Sequence, residues 1–229
     1  MRNRIVLTLT LLLATGTTFG AGGGSMPSGG GMSNMQTREP ASPEDQARDQ
    51  YNAGVRLVEK ADVDATQSAD PAQSVNERKQ QKALAKANKN YANALKKFSR
   101  AVELQPQMFQ AWNYVGYTNR KLGRYEAALE AYDRALSLKP GFPEAIEYRG
   151  HAYLGLGRLS EAKGAYLSLF SSNRKLAAQL LAGMQAWVGA HRAAPDGLDV
   201  ESFAAWVNER GTIASQTASL TREGASAGW

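Results

Sequence analysis

The chain has no cysteine and only two histidines among its 229 residues. Without cysteine there is no disulfide, no thiol nucleophile, no thiolate metal site and no lipid-accepting residue behind a leader. His151 and His191 are the only imidazoles, and neither a Gly-x-Ser-x-Gly turn nor a phosphate-cradling glycine loop occurs. Nucleophilic and metal-assisted catalysis therefore lack their usual parts, and the chain reads as a non-enzyme without cofactor or metal. The one pronounced apolar run, residues 5–14, is too short for a bilayer, which takes about 20 apolar residues in a helix. Acidic residues are missing altogether from 78–100, a stretch that holds eight basic ones.

What is present begins with a leader-like start. Arg2 and Arg4 precede the apolar run, and Thr18 and Gly20 supply small residues at the −3 and −1 positions of a cleavage site. Cutting after Ala21 fits nearly as well. Residues 1–20 read as a secretory signal, which implies an exported protein, periplasmic or secreted, and disfavours nucleic acid as a partner. Residues 21–42 are mostly Gly, Ser, Met and Pro and read as a flexible tether. Met26, Met32 and Met35 offer thioethers that suit Cu(I), but on a glycine-rich segment they read as linker, and no metal site is assigned.

Beyond the tether the sequence repeats. Gly116 recurs as Gly150, Gly123 as Gly157, Ala128 as Ala162 and Tyr132 as Tyr166, each pair 34 positions apart. Tyr91, Ala94, Phe98, Ala101 and Pro106 anticipate Tyr125, Ala128, Tyr132, Ala135 and Pro140 at the same distance. Trp112, Val115 and Leu122 give one apolar helix face, and Ala128, Leu129, Tyr132, Ala135 and Leu136 give another. Gly116 and Ala128 are small where two antiparallel helices must approach closely. Gly123 sits where the first helix must stop, and Pro140 follows the second. With this period and these residues, the segment from about 44 to 176 resembles the tetratricopeptide repeat. The resemblance implies an all-α solenoid of helical hairpins that stack to cover one another's apolar faces and present a concave surface to partners.

The first repeat departs from the pattern. Gly54 stands where Gly116 does, yet 40 positions separate Gly54 from Ala94 against 12 from Gly116 to Ala128. The excess of 28 is an insertion at about 62–89. Its first part, 62–74, reads as a polar loop with Asp70 and Pro71 as a turn. The rest, rich in Ala, Lys and Gln, extends the second helix backward to give one helix over about 76–104. Ser42, Pro43 and Glu44 mark the start of the first helix. The third repeat has Arg174 where Pro140 stood, so the chain runs on into a helix carrying Leu176, Leu180, Leu181, Met184, Trp187 and Val188. That helix is read as the cap on the array, and 43–192 as three repeats plus cap. Beyond it, 193–229 reads as a turn at 194–197, a short amphipathic helix over 200–210 with Phe203, Trp206 and Val207 inward, and a frayed tail.

Two surfaces are candidates for function. Repeat geometry implies a concave groove lined by Arg48, Tyr51, Val55 and Val58, then Asn113, Tyr117, Arg120 and Lys121, then Glu144, Glu147, His151 and Leu154. Tyr117 and His151 share one repeat position, and Arg120 can pair with a carboxylate. The arrays of this family that clamp a chaperone's terminal carboxylate carry Lys, Asn and Arg at positions occupied here by Tyr51, Val55, Tyr114, Glu144 and Tyr148, so that clamp is absent. The second surface is a basic ridge. On a helix of about 3.6 residues per turn, Arg78, Lys82, Lys86, Lys89, Lys96 and Arg100 fall within about 80° of one another along roughly 33 Å. The groove implies a protein or peptide partner in a bacterial cell envelope. The ridge implies an anionic surface, lipid or lipopolysaccharide.

Overall fold

The computed structural model describes residues 41–68, 77–192 and 199–226, and among these the regular structure is entirely α-helical. Eight helices follow in order: α1 Pro43–Ser68, α2 Glu77–Leu104, α3 Phe109–Lys121, α4 Tyr125–Leu138, α5 Pro143–Gly155, α6 Leu159–Ser172, α7 Arg174–His191 and α8 Val200–Ser226. They pack as consecutive antiparallel pairs, α1 on α2, α3 on α4 and α5 on α6, with each pair resting on the next. Short connections between consecutive helices favour such antiparallel neighbours.

The pairs close where the sequence places glycine against an aromatic ring. A Cβ added to Gly54 would lie 2.6 Å from Cε1 of Phe98, and one on Gly116 would lie 2.5 Å from Cε1 of Tyr132. Both rings are fully buried. The links within the second and third pairs are alike. Arg124 N–H donates to Asn119 O at 2.9 Å and Gly123 N–H to Arg120 O at 3.0 Å; Arg158 N–H donates to Tyr153 O at 2.9 Å and Gly157 N–H to Leu154 O at 3.1 Å. Gly123 and Gly157 hold φ of 74° and 68°, the left-handed conformation this helix termination requires.

The third pair ends the pattern. Gly150 is filled by Leu180 of α7, whose Cδ2 would lie 2.6 Å from an added Cβ. Tyr166 instead stacks on Phe170 at 5.6 Å and meets Trp206 of α8 edge-on at 5.5 Å. With no proline after α6, Asn173 accepts from Leu176 N–H at 3.1 Å and starts α7 at once. Leu180, Leu181, Met184, Trp187 and Val188 are buried there together with Val200, Phe203, Ala204 and Val207 of α8. The end of the array is thus a pair of helices, α7 and α8.

Two segments differ from the sequence reading. The polar loop expected over 62–74 is helical as far as Ser68, because α1 continues its inward stripe through Val58, Ala61 and Ala65. The insertion therefore lengthens both helices of the first pair. The tail expected to fray after 210 instead continues α8 to Ser226. The leader, the tether up to residue 40, the turn at Asp70 and Pro71, the turn at 194–197 and Trp229 lie outside the described residues.

The glycine notches can be tested against one that is empty. Gly116→Ala forces a methyl into the buried Tyr132 ring and should destabilise by about 1–3 kcal/mol. Gly164 on α6 has nothing within 4 Å of an added Cβ, so Gly164→Ala should gain about 0.5–1 kcal/mol from helix preference. Chemical denaturation of the two variants checks the opposite signs.

Candidate functional site

The first helix of each pair contributes to one continuous row of tyrosines. Tyr51 of α1 meets Tyr114 of α3 edge-on at 5.6 Å, Tyr114 meets Tyr117 at 6.1 Å, and Tyr117 meets Tyr148 of α5 at 5.0 Å. The row rests on the rings that fill the glycine notches. Phe98 lies 5.8 Å from Tyr51 and stacks on Tyr114 at 4.8 Å, while Tyr132 lies 6.3 Å from Tyr148. All four tyrosines are half-buried. The hydroxyls of Tyr51, Tyr114 and Tyr148 have no hydrogen-bond partner among the described residues and are not sealed from solvent.

Arg120 sits in this row. Its guanidinium carbon lies 5.2 Å from the Tyr117 ring centre and 5.6 Å from that of Tyr148, within cation–π range. Its Nε is buried without a hydrogen-bond partner, as are Asn113 Oδ1 and the Tyr132 hydroxyl. Burial opposes the Arg120 charge, but Tyr132, Tyr117 and Glu147 together outweigh it and shift the pKa upward. No carboxylate among the described residues forms an ion pair with it.

Midway along, at Tyr117, the row is tied to α1. The Tyr117 hydroxyl donates to both oxygens of Asp62, at 2.8 and 2.9 Å, and the Tyr91 hydroxyl donates to Oδ1 at 2.5 Å. Lys121 Nζ is 3.5 Å from the same carboxylate and lies over the rings of Tyr91 and Tyr117. Two residues further on, the nearly buried Asp64 accepts from Lys86 at 2.9 Å and from Asn90 at 3.1 Å. Neither acid stands out in the sequence, because both fall in the segment that reads as a loop. The signal that would have found them is the apolar stripe Val58, Ala61, Ala65, which carries the helix past them.

At the α7 end the groove closes. Gly183 of α7 lies directly on the His151 ring, and His151 Nε2 donates to Glu147 at 2.8 Å. Glu147, Asn113, Val58 and Leu154, all expected to be open to a partner, are buried. The reason is the neighbouring first helix, which covers these positions once the array stacks. The shared repeat position of Tyr117 and His151 does not bring their rings together; Tyr148, about one turn earlier on α5, meets Tyr117. Val55 and Glu144 are half-buried, and Arg48 is exposed and pairs with Asp45 at 2.5 Å. Arg120 and Tyr51 reach the open face only in part.

The ridge residues Arg78, Lys82, Lys86, Lys89, Lys96 and Arg100 are all exposed on α2. Lys86 pairs with Asp64 and Arg100 with Glu103 at 3.0 Å. Of the histidines, His191 stacks on Trp187 at 4.0 Å and donates to its carbonyl at 2.9 Å, and among the described residues neither ring is hydrogen-bonded to a serine or a second acid. Among the described residues no group of three His, Cys, Asp or Glu could hold a metal ion.

The tyrosines set a pH limit. Burial pushes Tyr51 up to about 12, and burial also raises Tyr114, Tyr132 and Tyr148. Tyr91 and Tyr117 rise for the same reason, with the Asp62 carboxylate adding to it. Above the ordinary phenol value of 10.0 the unfolded chain loses these protons while the folded array keeps them. The unfolded state then binds fewer protons, and stability falls as pH rises. Helical ellipticity should be flat from neutral pH to about 10 and then collapse together with tyrosinate absorbance, rather than after a gradual non-cooperative titration.

Comparison with known proteins places this geometry. Two family models, each described as tetratricopeptide repeat, match residues 82–143 and 120–184. No curated protein matches. Among solved structures, the first tetratricopeptide domain of Spaghetti (RPAP3) bound to the HSP90 peptide SRMEEVD is similar at 20% identity, covering 56% of this chain and 94% of that one, with a TM-score of 0.38. A likeness at that level carries no argument about the site. Domains of this family in general mediate protein–protein interaction. With the 34-residue period, the paired helices and the two matching models, residues 82–184 of the chain are built of tetratricopeptide repeats.

Proposed function

We propose that the chain is a non-catalytic adaptor of the bacterial cell envelope, and that its tyrosine row binds an extended segment of a partner protein. The observation that carries this reading is the set of unused groups on the row. Among the described residues three tyrosine hydroxyls have no hydrogen-bond partner and Arg120 forms no ion pair. Tyrosine presents a rigid apolar ring with a polar tip, at little entropic cost, and is enriched where proteins grip one another. A partner's backbone carbonyls suit the hydroxyls, and a side-chain carboxylate suits the guanidinium. The envelope setting rests on the leader-like residues 1–20. The chaperone peptide held by the similar structure is not carried over, since Tyr51, Val55, Tyr114, Glu144 and Tyr148 replace the residues of that clamp.

Peptides selected from a random display library on the full chain provide the test. Changing Tyr51, Tyr114 and Tyr148 together to Phe removes only hydroxyls that bond nothing internally, so the melting temperature should hold. Affinity should drop at least tenfold, about 1.4 kcal/mol. Selected peptides that bind the triple variant as tightly as the natural chain would overturn the assignment of the row.

A further inference from the structure

All of the chain's net charge resides on one helix. α2 contains eight basic residues and two acids, which by itself equals the +6 of the whole chain, so the positive and negative residues elsewhere balance. Within α2 the charge is sorted. The apolar stripe Ala87, Tyr91, Ala94, Phe98, Ala101 and Val102 is buried against the array. Arg78, Lys82, Lys86, Lys89, Lys96 and Arg100 are all exposed on the opposite face. Lys86 and Arg100 are partly answered by Asp64 and Glu103. Arg78, Lys82, Lys89 and Lys96 have no partner among the described residues, and they follow one line for about 27 Å at 1.5 Å per residue.

We propose that this face of α2 docks the protein on an anionic lipid bilayer, leaving the tyrosine row free for its partner. Charge complementarity argues for the occupant, and the composition of the face decides its class. It is built mainly of lysine and has no aromatic residue on the line, whereas protein interfaces are depleted in lysine and anchored by aromatics and arginine. A bilayer asks for no such anchors. It presents a diffuse negative field, and each Lys or Arg brought to it adds roughly fivefold in affinity. Among the described residues no helix is long and apolar enough to cross a membrane, so the contact is made at the surface. The neighbouring second helix sets the orientation. α4 exposes Glu126, Glu130 and Asp133 against a single base, Arg134, and among the described residues only Asp133 is answered from outside, by Arg149; an anionic surface repels that net negative face, so the array meets the bilayer by its first helical pair. A leader-like start argues against nucleic acid, the other polyanion a lysine row would suit.

The test is sedimentation of the full chain with vesicles of phosphatidylcholine alone or with about 30 mol % phosphatidylglycerol. The neutral vesicles report whatever the apolar run at 5–14 contributes. Binding should be strong on the anionic vesicles and weak on the neutral ones. It should fall at least thirtyfold when Arg78, Lys82, Lys89 and Lys96 are all changed to Gln, four exposed and unpaired positions that leave the fold unaltered by circular dichroism. Raising NaCl from about 0.05 to about 0.5 M should produce a comparable loss with the natural chain, which stands even if the quadruple variant fails to fold. Equal binding to both vesicle types, or full binding by the folded quadruple variant, would overturn the proposal. So would tighter binding to a DNA duplex or to a polyglutamate chain than to the anionic vesicles at the same salt. Because the probe is lipid and the altered residues lie off the tyrosine row, failure here leaves the peptide-binding reading standing, and the reverse holds too.

Discussion

A buried aromatic ring set against a glycine is the contact on which the array and its tyrosine row both depend. Phe98 fills the notch at Gly54, and Tyr132 fills the notch at Gly116. This lets two helices approach to the distance at which the ring replaces a side chain that glycine lacks. The same two rings support the tyrosine row from beneath, Phe98 under Tyr51 and Tyr114 and Tyr132 beside Tyr148. Packing within each pair and the position of the surface that faces a partner are therefore not independent. A change that unseats either ring would disturb the stacking of the array and displace the groove tyrosines with it.

Departures from the repeat fix the row in place and limit it. At the first pair, the lengthened α1 brings Asp62 over Tyr91, Tyr117 and Lys121, so that one carboxylate ties three elements. At the third pair, Leu180 occupies the notch at Gly150, and Gly183 lies on His151. The open part of the face thus runs from Tyr51 to Tyr148 and stops. The unpaired cations lie apart from this face: the tyrosines are on first helices, and Arg78, Lys82, Lys89 and Lys96 are on the exposed side of the second helix α2.

Much of the architecture was legible because it is local. A 34-residue period, glycine at the helix ends and proline after the second helices specify the hairpins, and the run without breakers before Tyr91 announces the long α2. What could not be read depends on contacts far apart in sequence. Asp62 and Asp64 look like loop residues until Tyr117 and Lys86 are seen to satisfy them. The serine, threonine and glycine content after residue 210 lowers helix propensity, yet α8 continues. For the site, periodicity gave the face on which each residue lies but not its depth. Asn113 and Glu147 are on the expected face and are buried there, because depth depends on how closely the next first helix packs. Tyr114 and Tyr148, noted only as the wrong residues for a clamp, turn out to complete the row.

The claim that the row is the binding surface is tested most directly by tyrosine-selective ring labelling and NMR on the full chain as a selected peptide is added. All nine tyrosines then report on their own positions. The ring signals of Tyr51, Tyr114, Tyr117 and Tyr148 should shift together with the occupancy of the peptide, while those of Tyr125, Tyr153 and Tyr166 stay where they are. Shifts at Tyr125, Tyr153 or Tyr166 with the row unmoved would contradict the claim and put the partner on another face of the array.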